Sequence, residues 1–130
     1  MLNCEIASEL IKNGTAAKII KQKKKLAKER NNIYTKFFPD TVSPNPYSFF
    51  QWLALPENQN GYNFELLANH ANVKVLCSDR FAIGDTSNFS AIRIATCSPD
   101  SLSELEHGLQ IIYDLIQMNK HAQFKETFII

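Results

Sequence analysis

The chain reads as an α+β domain: a two-layer sandwich with a small, mostly antiparallel sheet of three or four strands. Helices pack on one side of it, and a long helix stands at the N-terminal end. Three observations lead there. Two short apolar runs, 48–55 and 90–96, have the composition or alternation of strands. Two longer stretches, one beginning at Thr15 and one near Ser101, repeat their apolar residues at helical spacing. The elements follow in the order helix, helix, strand, helix, strand, strand, helix, without an internal repeat. A chain of 130 residues with 45% hydrophobic and 21% charged residues fits one globular domain. Its expected divisions are a helical part at 1–38, an αβ core at 48–117 and a tail at 119–130.

Cys4 to Lys12 reads as a short helix ended at Gly14. Thr15 is placed to cap a second helix that runs to Phe38 and stops at Pro39-Asp40, with Ile19, Ile20, Leu26, Ala27, Ile33, Tyr34 and Phe37 at helical spacing. Pro39, Pro44 and Pro46 mark a loop. Ser48 to Leu55 is an aromatic-rich strand closed by Pro56. Asn63 is placed to cap a helix through Ala71, and Asn72 to end it in the left-handed conformation. Val73 to Leu76 is a short strand, Phe81 to Gly84 leads into a polar loop at 85–88, and a strand follows. The last helix starts at Ser98-Pro99-Asp100 or at the capping box Ser101-Leu102-Ser103-Glu104. Leu102, Leu105, Leu109, Ile112, Leu115 and Ile116 form its buried stripe. Gly108 inside that helix suggests close packing against a neighbour. The segment 119–130, ending Phe128-Ile129-Ile130, reads as an added strand or a loose end.

In Ser90-Ala91-Ile92-Arg93-Ile94-Ala95-Thr96 the period of two puts Ile92 and Ile94 on one face and Arg93, between two alanines, on the other. A guanidinium with room beside it is suited to grip a carboxylate through two parallel hydrogen bonds. The plainer alternative is a charge that keeps a wetted face soluble. Phe50, Trp52 and Ala54 also share a face, too apolar to be left in water, which points to another domain or another chain as its cover.

Other features exclude more than they propose. A net charge of +1 implies no global electrostatic partner. Lys18, Lys21, Lys23, Lys24, Lys25, Lys28 and Arg30 form a basic run without interleaved aromatics, read as a solvated helix face and not as a nucleic-acid contact. Cys4, Cys77 and Cys97 lack metal-ligand spacing and do not cluster with His70, His107 or His121, as expected of reduced thiols in a cytoplasmic protein. Ser101, Ser103 and His107 lie close in sequence on one helix and are read as surface residues, not a triad. No signal peptide or membrane span is expected.

Phe49-Phe50-Gln51-Trp52-Leu53-Ala54-Leu55-Pro56-Glu57 resembles the F-x-W-L-x-L-P-E strand of class I/II aminotransferases. Ala71-Asn72-Val73-Lys74-Val75-Leu76, then Phe81, then Ala91-Ile92-Arg93-Ile94, is similar to that family's G-V-x-V... F... x-x-R-L segment. Leu105-Glu106-His107-Gly108-Leu109 is similar to its L-x-x-G-L helix, and Lys18 to Ile33 to its basic helix. The resemblance covers residues 3 to 117 and is nearest to the aminotransferase-like domain of MocR-type regulators of the GntR group. Cys77-Ser78 stands where aminotransferases usually carry Pro-Gly, and Tyr47-Ser48 where Gly-Gly is common. These departures bear against efficient transamination more than against the fold.

The resemblance implies the C-terminal small domain of a fold-type I pyridoxal-phosphate protein. Arg93 then corresponds to the arginine that holds the α-carboxylate of an amino-acid ligand. It implies pyridoxal phosphate in the full-length protein and none bound by this chain, whose S-x-S-K-type lysine motif is missing. The chain is therefore expected to have no catalytic residues and no metal site. Its partners would be the missing large domain or a partner chain, an amino-acid-like ligand, and a second copy in a homodimer. No direct nucleic-acid contact by this domain and no membrane association are expected. The alternatives are part of a genuine amino-acid aminotransferase, or a stand-alone carboxylate-binding or interaction module.

Overall fold

A computed structural model describes residues 1–84 and 89–126, with side chains as far as residue 122. The polar loop read at 85–88 and the apolar end 128–130 lie outside the described residues. Among the described residues four α-helices and three strands follow in the order α1 (Leu2–Lys12), α2 (Thr15–Phe37), β1 (Phe50–Ala54), α3 (Gly61–His70), β2 (Leu76–Cys77), β3 (Ala91–Ala95) and α4 (Leu102–Glu126). Short 3-10 turns occupy Pro39–Thr41 and Ser78–Phe81. The α+β class, the small antiparallel sheet and the N-terminal helices are as the sequence implied.

The sheet has the order β1-β3-β2, with both pairings antiparallel. β3 is therefore central, and β1 borders it in the register Trp52 opposite Arg93 and Leu53 opposite Ile92. One sheet face is closed by helices. Leu53, Ile92 and Ile94 meet Tyr34 and Phe38 from the end of α2, Phe64 and Ala68 from α3, and Leu105, Leu109, Ile112 and Ile116 from α4 in one core.

Local chemistry explains the boundaries that moved. Gly14, at φ +80°, turns α1 into α2, and it is the Asn13 Oδ1, not the Thr15 hydroxyl, that takes a free amide, that of Thr15 itself at 3.0 Å. α3 begins at Gly61 because Asn60, not Asn63, is its cap, accepting from the amides of Tyr62 and Asn63. Gly61 is needed for approach: a Cβ there would lie 3.1 Å from Cys77 Cβ. Asn72 does take the left-handed conformation, φ 61°, and the Val73 amide reaches back to the Ala68 carbonyl at 2.8 Å.

The strand expected at 73–76 is only Leu76–Cys77, since the chain leaving that turn meets β3 late. The capping box starts α4: the Glu104 amide donates to Ser101 Oγ at 3.1 Å, and Glu104 Oε2 accepts from the Asp100 amide at 2.9 Å. α4 then continues to Glu126 through much of the segment read as a tail. Gly108 does not mark close packing, because a Cβ there would meet nothing within 4 Å.

Candidate functional site

The sheet face away from the helices presents Phe50, Trp52 and Ala54 from β1, Arg93 from β3 and Leu76 from β2. Trp52, Arg93 and Leu76 stand in one cross-strand row. Phe50, Trp52 and Phe81 are 43%, 45% and 44% exposed, so the aromatic surface expected from the sequence is open.

Arg93 is half-buried on this face. The space that Ala91 and Ala95 leave beside it is taken up by rings. Its guanidinium carbon lies over Phe50, 4.5 Å from the ring centroid, and over Phe81, 4.6 Å from the centroid. Phe81 also meets Trp52 edge-on, with centroids 5.6 Å apart. Contact with π faces stabilises the cation without using its N–H donors. Among the described residues those donors have no hydrogen-bond acceptor, and Arg93 has no carboxylate partner. A guanidinium held by rings, with donors that no described residue uses, has the planar fork that a carboxylate could accept from.

The turn that carries Phe81 is fixed from below. Glu65, a buried residue of α3, accepts from the Cys77 amide at 2.9 Å and from Arg80 Nε and Nη2 at 2.6–3.0 Å. The Arg80 hydrogen bonds, helped by the Cys77 amide, outweigh burial and hold the Glu65 carboxyl at about 2. Arg80 lies over Tyr62, 5.4 Å from its centroid. Burial, and then the neighbouring Glu65, push the Cys77 thiol up, which makes it a poor nucleophile. Ser78 Oγ accepts from the Ala91 amide at 3.2 Å, tying the same turn to the start of β3.

The other end of the two strands is fixed by a buried polar network. Asn31 Nδ2 donates to the carbonyls of Pro46 and Ser48 at 2.9 and 2.8 Å, while its Oδ1 accepts from Gln51 Nε2 and Thr96 Oγ1, each at 3.1 Å. Arg30 Nη1 donates to the carbonyls of Thr96 and Pro99 at 3.1 and 2.6 Å. Arg30 is thus not part of the solvated face to which the basic run assigned it. The lysines of that run are exposed as expected, with Lys24 lying over the Tyr47 ring.

Of the residues singled out from the sequence, Arg93 and Trp52 come together, whereas Ser101, Ser103 and His107 form no triad: Ser101 spends its hydroxyl oxygen on the helix cap. Sequence reading missed Phe50 and Phe81 as the rings against Arg93, and Glu65 and Arg80 beneath them. The one signal for the latter pair was an acid on the apolar side of a helix, with an arginine in the turn after the next strand. Every lysine whose side chain is described is exposed, so none is enclosed beside an acid as a Schiff-base lysine would be. Among the described residues no group of three or more His, Cys, Asp or Glu side chains could hold a metal ion, and no helix is long and apolar enough to cross a membrane.

No protein-family model matches the chain. Over 67 residues, 52% of its length, it is 40% identical to an uncharacterized HTH-type transcriptional regulator, YdeF, of Bacillus subtilis (strain 168). The match spans only 14% of that regulator. The crystal structure of an archaeal alanine:glyoxylate aminotransferase superposes on 87% of the chain with a TM-score of 0.70 at 23% identity, and 29% of that enzyme is covered. The chain therefore has the fold of about three-tenths of an aminotransferase and is similar in sequence to a short part of a transcriptional regulator.

Proposed function

We propose that this chain is the C-terminal part of an aminotransferase-like protein of the MocR/GntR regulator type, and that Arg93 anchors the carboxylate of an amino-acid-like effector. The observation that carries the reading is the guanidinium of Arg93, stacked on Phe50 and Phe81 with free donors on a face that no part of the described chain covers. The similarity to a helix-turn-helix regulator favours regulation over metabolic turnover. In this reading the open aromatic face docks against the remainder of the protein, or against a partner chain or second copy. That remainder supplies the pyridoxal phosphate, its lysine and the DNA-binding segment, in the cytoplasm. This chain binds and orients the ligand carboxylate and performs no transamination alone.

The test is calorimetric titration of the chain with L-alanine and pyruvate. One bidentate, charge-assisted contact in a half-open site corresponds to a Kd of roughly millimolar order. Arg93→Ala should abolish the binding, and Arg93→Lys should weaken it by removing the planar fork. Binding that survives Arg93→Ala unchanged rejects the reading.

A further inference from the structure

The geometry points to Glu65 as a positioning residue for the Arg93 site: by holding Arg80 and the Cys77 amide it sets the turn that carries Phe81 onto the guanidinium. For ligand binding, this inference rests on the reading of Arg93 given above.

Phe81 is the last residue of the 3-10 turn Ser78–Phe81, and Ala82, Ile83 and Gly84 after it are all exposed. Those three residues give the ring no support; beside its edge-on contact with Trp52, the described ties nearest to it lie upstream. There the ties are few and specific. Glu65 takes the Cys77 amide and the Arg80 guanidinium on one carboxylate, fixing the two residues that bracket Ser78-Asp79. Arg80 immediately precedes Phe81, and its fork geometry restricts the backbone that Phe81 continues. Ser78 also fastens the turn to β3, but it stands earlier in the turn, whereas Arg80 adjoins Phe81 in the chain. Glu65 itself is on α3, which packs under the sheet, so a helix on the closed side determines an aromatic contact on the open side. Glu65 does not touch a ligand in this arrangement. It acts through Phe81, whose ring limits the orientations of the Arg93 donors.

The experiment compares the chain with Glu65→Gln, Arg80→Gln and Arg93→Ala at a temperature well below the melting point of each. Two quantities are read: the ring-current shift of the Arg93 δ-methylene protons with the Trp52 indole signal, and the affinity for L-alanine. Glu65→Gln is expected to move both proton signals toward their unstacked positions and to weaken L-alanine binding about fivefold, the scale of one lost cation–π contact. Should Glu65→Gln fail to fold, Arg80→Gln gives the same reading, because it leaves Glu65 bonded to the Cys77 amide and alters a side chain that is 44% exposed. Arg80→Lys, which keeps the charge without the fork, should lie between the two. A merely structural role would lower the melting temperature and leave the signals and the affinity where they were, and that result overturns the inference. If Arg93→Ala leaves L-alanine binding intact, the carboxylate reading fails, while the proton signals of Glu65→Gln still decide the role of Glu65.

Discussion

The two faces of the sheet are built from the same three strands and are opposite in character. On the closed face, Leu53, Ile92 and Ile94 are nearly inaccessible and interlock with α2, α3 and α4. On the open face, Phe50, Trp52 and Phe81 stay over two-fifths exposed around one arginine. Stability should therefore reside on the first face and recognition on the second. Aromatic residues exposed at that density around an unspent guanidinium have no folding rationale within the described chain. Among the described residues the sheet is packed on one side only.

The comparison breaks most directly by truncating one residue on each face. Leu53→Ala should cost about 3 kcal/mol in urea denaturation, since it opens a cavity among enclosed side chains. Trp52→Ala, directly beside it in β1, should cost less than about 1 kcal/mol because the indole is already half in water. Equal costs would mean that the open face is part of the core.

Next in size is the network under the strand ends. Asn31→Ala leaves the Gln51 and Thr96 donors without their shared acceptor and should lower stability by about 2 kcal/mol. The same assay should show that Lys23→Ala, on the exposed part of the same helix, changes it little.

A smaller effect separates the anchor under the open face by pH. The Glu65 carboxyl sits at about 2 in the folded chain, below its ordinary value near 4.3. Its contribution is present above the unfolded value and is lost as the pH falls from about 4.3 toward 2. The urea midpoint of the wild type should therefore fall more between pH 5 and pH 3 than that of Glu65→Gln. Parallel curves would show that another group carries the acid dependence. Smallest of all, Ser101→Ala should cost about 1 kcal/mol by removing the α4 cap, with no change on the open face.

Much of this division was legible in the sequence. Period-two alternation put Ile92 and Ile94 opposite Arg93, and placed Phe50, Trp52 and Ala54 together, because strand geometry alone fixes those relations. The capping box and the left-handed Asn72 were legible for the same local reason. The rings against Arg93 were not. Phe81 reaches it only because β2 pairs beside β3, and a strand two residues long leaves almost no periodic signal. Arg30 was misread because composition marks a basic run without marking the residue that turns inward to meet Thr96 and Pro99. The Glu65–Arg80 pair joins residues fifteen apart, beyond helical spacing, and is set by the tertiary fold.

The proposal turns on whether Arg93 takes a carboxylate at the donors that no described residue uses. Its most direct test follows the Arg93 Nε–H signal in 15N-labelled chain while acetate is added at constant ionic strength. A saturable shift of that signal, absent when chloride replaces acetate, with the ring-current-shifted δ-methylene protons staying in place, is the predicted result. An Nε–H signal that does not move, or that moves equally with chloride, contradicts the account.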